Sequence, residues 1–201
     1  MLREVFESGR PLTYVRSAEE QRVGTVLLEV ARRFPSRLPV WTWSLTQGMQ
    51  RNGEPAAPGT QIPRAALDFI AANPGPGIFH LKDFHEPMRE SPEIRRGLRD
   101  LYESCRDQQK FVVITSPIRA VPEELVRSIM FLELRPPDLV ELVEFLKQER
   151  ADADEAVLYQ LASALQGLTI DEARYALRRA LAVNERLGPE SVPAQIGRAH
   201  V

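Results

Sequence analysis

The chain has 201 residues, enough for one α/β domain and a small satellite, with 43% hydrophobic residues, 27% charged residues and a formal net charge of −2. That balance excludes a strongly basic nucleic-acid-binding chain, although it leaves room for a local basic patch. The single cysteine, Cys105, excludes an internal disulfide and a cysteine-rich zinc site, and no apolar run approaches the roughly 18–20 residues that span a bilayer.

The opening stretch, Met1 to Arg10, is charged and lacks the apolar core of a signal peptide, and Glu4 and Glu7 argue against a transit peptide. The expected compartment is the cytoplasm, or the stroma of a plastid. Leu2 to Ser8 reads as a short helix stopped by Gly9-Arg10-Pro11, and Leu12 to Val15 as a short strand. Ser17 and Glu20 have capping-box spacing, so Ser17 is expected to start a helix whose face carries Val23, Val26, Leu27, Val30 and Phe34. Val40 to Leu45 is the next strand, with Trp41 and Trp43 on one face and Val40 and Thr42 on the other. Gly48 to Pro63, with Gly53, Pro55, Pro58 and Gly59, reads as a long surface loop.

Arg64 to Ala72 is predicted helical, Gly77 to Leu81 a strand and Phe84 to Glu90 a loop. Ser91 and Pro92 open a helix that buries Ile94, Leu98, Leu101, Tyr102 and Cys105. Phe111 to Thr115 is the most β-like run, and its lack of alternation predicts a central parallel strand buried on both faces. Pro122 to Ile129 reads as a short helix and Met130 to Glu133 as the last strand. Beyond Pro136-Pro137 the pattern is helical: Asp138 to Glu149, Glu155 to Leu165, and a helix from Ile170 to about Val183 opened by a Thr169–Glu172 capping box. The alternation of short apolar runs with amphipathic stretches predicts an α/β fold: a parallel five-stranded sheet flanked by helices. The expected division is an α/β domain over 1–137, a helical satellite over 138–187, and a linker and tail over 188–201. The last six residues, Ile196 to Val201, are what a common sequencing adapter encodes in one frame before a stop, so they are expected to be an artefact following a gene cut near Gln195.

Five strand–helix units followed by a helical lid is the order of an AAA-type module. The chain resembles the plastid and cyanobacterial proteins called hypothetical chloroplast reading frame AAA ATPases. The resemblance spans about residues 2–187. It rests on Pro11 to Glu20, Val40-Trp41-Thr42-Trp43, Gly77-Ile78-Phe79-His80-Leu81-Lys82-Asp83-Phe84, Val112 to Pro117, Pro122-Glu123-Glu124-Leu125, and Leu165 to Thr169. These motifs are short, and their order makes the match specific. The resemblance implies an amino-terminal, degenerate module joined to a carboxy-terminal AAA domain with an intact phosphate-binding loop. The parent protein would bind ATP and magnesium and assemble with itself; this chain would supply packing or partner-binding surfaces. No membrane and no nucleic acid is an expected partner. A DNA-associated clamp-loader-like subunit and a stand-alone enzyme using the strand-end crevice are the rival readings.

The chemistry supports a module without catalysis of its own. No G-x-x-x-x-G-K-[ST] occurs anywhere in the chain, so the backbone amides and lysine that cradle phosphates are missing. The first strand runs instead into Arg16-Ser17-Ala18-Glu19-Glu20, whose carboxylates repel phosphate while suiting the positive end of a helix. The resemblance places the magnesium-holding Asp of a Walker B strand at Lys82, the following acid at Asp83, and a γ-phosphate sensor at Ser116; a Lys beside a lone Asp is a poor magnesium site. No intact nucleotide-binding residue, catalytic residue or metal site is expected. His80, Asp83 and His85 lack a third histidine or a cysteine nearby. Cys105 reads as a buried small hydrophobe, Trp41 and Trp43 as packing residues. Arg95, Arg96, Arg99 and Arg106 interleave with Glu93, Asp100, Glu103 and Asp107, reading as a mixed-charge face.

Overall fold

The computed structural model describes residues 2–149 and 154–183. By backbone contacts the chain divides after Leu134 into two compact units. Among the described residues no helix is long and apolar enough to cross a membrane.

The first unit is built on one sheet. Its strands are β1 (Leu12–Arg16), β2 (Val40–Ser44), β3 (Gly48–Arg51), β4 (Glu54–Pro55), β5 (Gly77–Lys82), β6 (Lys110–Ser116) and β7 (Ile129–Glu133). They lie in the order β4-β3-β2-β5-β6-β1-β7. The five strands β2, β5, β6, β1 and β7 are parallel. The sheet is therefore seven-stranded and mixed, not five-stranded and parallel. The two extra strands come from the Gly48–Pro63 segment read as a loop: β3 pairs antiparallel with β2 and β4 with β3.

Backbone conformation explains the difference. Asn52 and Gly53 both have positive φ, 55° and 83°, as a tight hairpin turn requires. Gly48 has φ 71°, and a Cβ there would meet Thr60 Oγ1 at 2.8 Å. Thr60 closes the segment: its hydroxyl accepts from Met49 N at 2.8 Å and donates to Ala57 O at 2.8 Å. Its carbonyl accepts the indole N–H of Trp43. Met49 is fully buried, so apolar burial anchors the strand.

Chain reversal explains the two-sided core. From β1 the chain crosses to β2 through α2 (Glu20–Arg33), then returns strand by strand through α3 (Pro63–Ala72) and α5 (Pro92–Cys105). Right-handed crossovers put helices travelling in opposite directions on opposite faces. With α1 (Leu2–Glu7), α2 covers Val15, Ile78, Phe111 and Val113; Phe6 stacks on Phe111 with centroids 4.5 Å apart. The other face holds Leu12, Tyr14, Phe79, Leu81, Val112 and Ile114 beneath Ala66, Ile70, Ile94 and Leu98. Each fully buried Leu or Phe side chain contributes about 1.5–3 kcal/mol. As the unbroken apolar run implied, β6 is buried along its whole length and is flanked by β5 and β1.

Three local expectations need correction. Helix α2 begins at Glu20, with Glu19 at its cap, and the Ser17–Glu20 box does not form. Ser17 N donates to Ser116 O at 2.9 Å, which holds Ser17 to the sheet, and Ser17 Oγ accepts from Glu19 N at 3.0 Å. Phe84 to Glu90 contains a helix, α4 (His85–Glu90). Phe84 and Met88 are both fully buried at helical spacing, and Pro87 falls in the first turn, where it removes no helical bond. Pro122 to Ile129 holds only a 3-10 turn, Glu123–Leu125, because Ile129 pairs with Leu12 as part of β7.

The second unit is helical: α6 (Leu139–Glu149), α7 (Glu155–Leu165) and α8 (Ile170–Val183). Leu142, Leu146, Leu158, Leu161, Leu165 and Leu177 are among its buried residues. At the start of α8, Thr169 Oγ1 accepts from Glu172 N at 3.2 Å and Glu172 Oε2 accepts from Thr169 N at 2.8 Å, the predicted capping box. A second box precedes α6 between Asp138 and Glu141. Gly167, at φ 90°, turns the chain after α7. The expected linker and tail, 188–201, lie outside the described residues.

Candidate functional site

In a sheet wound this way a ligand crevice lies beyond the carboxyl ends of the parallel strands. A cleft of about 470 Å³ opens there, lined by Glu20, Trp43, Leu45, Lys82, Asp83 and Glu86 among others. Glu20 starts α2, Lys82 ends β5, Asp83 and Phe84 form the turn into α4, and Glu86 lies in its first turn. Side chains alternate along β5, so Lys82 projects to the same face as His80 and Ile78, beneath α2. This brings Lys82 Nζ to 3.2 Å from Glu20 Oε2, with the two side chains 30% and 35% exposed.

Asp83 follows with φ 52°, a left-handed conformation that Asp tolerates better than most residues. Its amide donates to Thr115 O at 2.9 Å, extending the β5–β6 pairing by one bond. Burial and the neighbouring Glu20 push its carboxyl pKa up. His85 is buried between two acids, with Nδ1 3.7 Å from Asp83 Oδ1 and Nε2 3.3 Å from Glu86 Oε1. Glu86 also pairs with Arg89 at 2.7 Å. Ser116 is fully buried; its Oγ accepts from Ile118 N at 3.3 Å and its carbonyl from Ser17 N. Lys82 and Asp83 thus line one cleft, while Ser116 is held within its own turn.

His80 does not join them. It is fully buried within β5, with Nε2 2.8 Å from Thr115 Oγ1. Burial, helped by the charge of Lys82, lowers its pKa to about 3, so the ring is neutral. Among the described residues no group of three or more His, Cys, Asp or Glu is arranged to hold a metal ion. Cys105 is buried and its thiol pKa is pushed up by burial, the opposite of an activated nucleophile. Trp41 stacks on Phe79 at 4.8 Å, with the Arg51 guanidinium 5.2 Å from its ring. Arg95 binds Glu124 and the carbonyls of Met88 and Arg89, and Arg96 and Arg106 pair with Asp100 and Glu103. Sequence reasoning missed the partnership of Glu20 with Lys82, because they lie 62 positions apart (82 − 20) and meet only through the crossover. It also missed Glu86, whose place depends on α4.

A sheet with this strand order, flanked by helices and followed by a helical unit, is the architecture of AAA-type proteins. One such structure, the FIGL-1 AAA domain in complex with ADP, superposes with a TM-score of 0.63 over 96% of this chain and 71% of that chain, at 10% identity. A katanin structure described under its self-assembly gives 0.59 over 94% and 66%, at 15% identity. At these identities the likeness concerns the fold alone. The chain belongs to the SpoVK-like AAA ATPases: it matches their N-terminal domain over residues 1–134 and their second domain over residues 139–196. It is 29% identical over 188 residues to the uncharacterized AAA domain-containing protein ycf46 of Guillardia theta, covering 90% of this chain and 37% of that protein. The chain thus spans less than two-fifths of that relative's length.

Proposed function

We propose that this chain is a non-catalytic AAA-like module whose role is assembly or partner binding within a longer ATPase. ATP and magnesium would be bound and hydrolysed by a domain outside this chain. The observation that carries the reading is the Lys82–Glu20 ion pair at the strand ends. In a phosphate-binding module this space needs free amides and a lysine aimed at the β and γ phosphates, with a carboxylate nearby to hold magnesium. Here the lysine stands where the resemblance puts the magnesium-holding acid, and it is engaged by a carboxylate at the start of α2. Of the carboxylates lining the cleft, Glu20 is paired with Lys82 and Glu86 with Arg89, so a triphosphate would find the lining lysine engaged and the Asp83 carboxyl beside it. The residues present do not fit MgATP.

On this reading Lys82, Asp83 and Ser116 are the vestiges of Walker B and sensor positions, and the helical unit after Leu134 is the counterpart of the helical subdomain that follows the sheet in AAA-type modules. The partners would be the protein's own AAA domain and further copies of the chain in a ring, in the cytoplasm or the plastid stroma. Titration of fluorescent ATP with magnesium against the purified chain tests the reading. No saturable binding below about 1 mM is expected, a ceiling of roughly 4 kcal/mol of affinity. Micromolar binding would overturn it.

A further inference from the structure

A second recess, of about 480 Å³, is walled by the β3–β4 hairpin and the end of α3; Trp41, Arg51, Glu54, Pro55, Phe69 and Asn73 are among its lining residues. Its back wall is a ring fixed in place. Trp41 is only 7% exposed. Its strand runs between β5 and β3, so Phe79 stacks on the indole from one side, with centroids 4.8 Å apart, and the Arg51 guanidinium approaches from the other, 5.2 Å from the ring centre. The benzene edge of the indole is wedged at Gly77, where a Cβ would strike Cζ3. The N–H lies on the opposite edge of the ring.

That N–H has no hydrogen-bond partner among the described residues, whereas the indole of Trp43 donates to Thr60 O. The unpartnered side-chain atoms sealed from solvent belong to Thr13, His80 and His85. The Trp41 nitrogen is not one of them, so an incoming acceptor can reach it in the recess that its residue lines. An indole N–H this far buried ordinarily finds an acceptor. The Arg51 guanidinium stands beside it, held by its contact with the ring and by no ion pair among the described residues. Glu54 lies opposite Arg51 in the β3–β4 register without pairing to it. Both groups are donors at any ordinary pH, because an indole nitrogen only donates and a guanidinium keeps its charge.

A carboxylate matches this pair. It is planar, as the guanidinium fork requires, and its second oxygen is free for the indole N–H. Arg51 is the one cation among the described lining residues and Glu54 stands opposite it, so a singly charged acid suits the recess better than a doubly charged phosphate. Pro55 and the half-buried Phe69 offer apolar surface to the methylenes behind such a head group. We propose that this recess docks a glutamate side chain of a partner protein, with Arg51 as the anchor and the Trp41 indole as the second donor. The site is separate from the strand-end cleft and stands whether or not that cleft binds nucleotide.

The two tryptophans make the test internally controlled. In NMR spectra of the whole chain the Trp41 indole proton is expected to exchange with solvent at least tenfold faster than that of Trp43, which is hydrogen-bonded. Titration with Nα-acetyl-glutamate amide is expected to give saturable millimolar shifts of the Trp41 indole resonance and the Arg51 side chain, with the Trp43 indole unmoved. The uncharged Nα-acetyl-glutamine amide and inorganic phosphate are each expected to bind at least tenfold more weakly. Arg51 is exposed on an edge hairpin, so Arg51→Gln is expected to fold and to lose at least tenfold in affinity, while Glu54→Gln binds as well as the wild type or better. Equal exchange of the two indoles, equal binding of glutamine amide or phosphate, undiminished binding by Arg51→Gln, weaker binding by Glu54→Gln, or shifts that do not saturate would overturn the proposal.

Discussion

His80 and Gly48 show how single residues set the behaviour of the first unit. The pKa of His80 falls from 6.5 to about 3 on folding, because the fully buried ring has no counter-charge and Lys82 lies nearby. A pKa lowered in the folded state means that the unfolded chain binds a proton which the folded chain refuses. Stability is therefore complete above about pH 6.5 and is lost as pH falls from there toward 3. His80→Gln keeps a polar partner for Thr115 and removes the titration. Urea unfolding at pH 7 and pH 4.5 is expected to show the wild type losing on the order of 2 kcal/mol more than the variant; equal losses would contradict the assignment. At Gly48 two constraints coincide, a φ of 71° and a contact of 2.8 Å awaiting any Cβ. Gly48→Ala is expected to cost about 1–3 kcal/mol in denaturant unfolding. Gly53→Ala meets nothing within 4 Å and carries only the backbone penalty, so it is expected to cost less.

At the level of elements, the readable signals were the local ones. Helix α5 was legible from Ser91, Pro92 and its apolar spacing, and α8 from Thr169 and Glu172. In both the controlling contacts lie within one turn. Thr169→Ala is expected to cost about 1 kcal/mol, read as faster hydrogen exchange in the first turn of α8. The Gly48–Pro63 hairpin was hidden by its own composition. Its prolines and glycines read as loop, although Asn52-Gly53 carries the strongest short hairpin signal and Met49 an apolar anchor. The S-x-x-E spacing at Ser17 misled because the competing partner, the Ser116 carbonyl, comes from a strand about a hundred residues away (116 − 17 = 99). Helix α4 was obscured by Pro87, which counts against a helix except in the first turn, where it sits.

For the molecule as a whole, alternation of strands and helices revealed the parallel core, while strand order and edge pairing needed long-range contacts. The candidate site divides in the same way. The missing glycine-lysine loop is a property of the sequence, but the Lys82–Glu20 pair exists only once the crossover brings α2 over β5. The central claim is that the strand ends present carboxylates, with their lysine already engaged, where an active relative would seat a triphosphate. Backbone amide NMR of the chain with and without MgATP tests this most directly. The account predicts unchanged resonances from Ser17 to Glu20 and at Lys82 and Asp83 up to millimolar nucleotide; saturable shifts at those amides would contradict it.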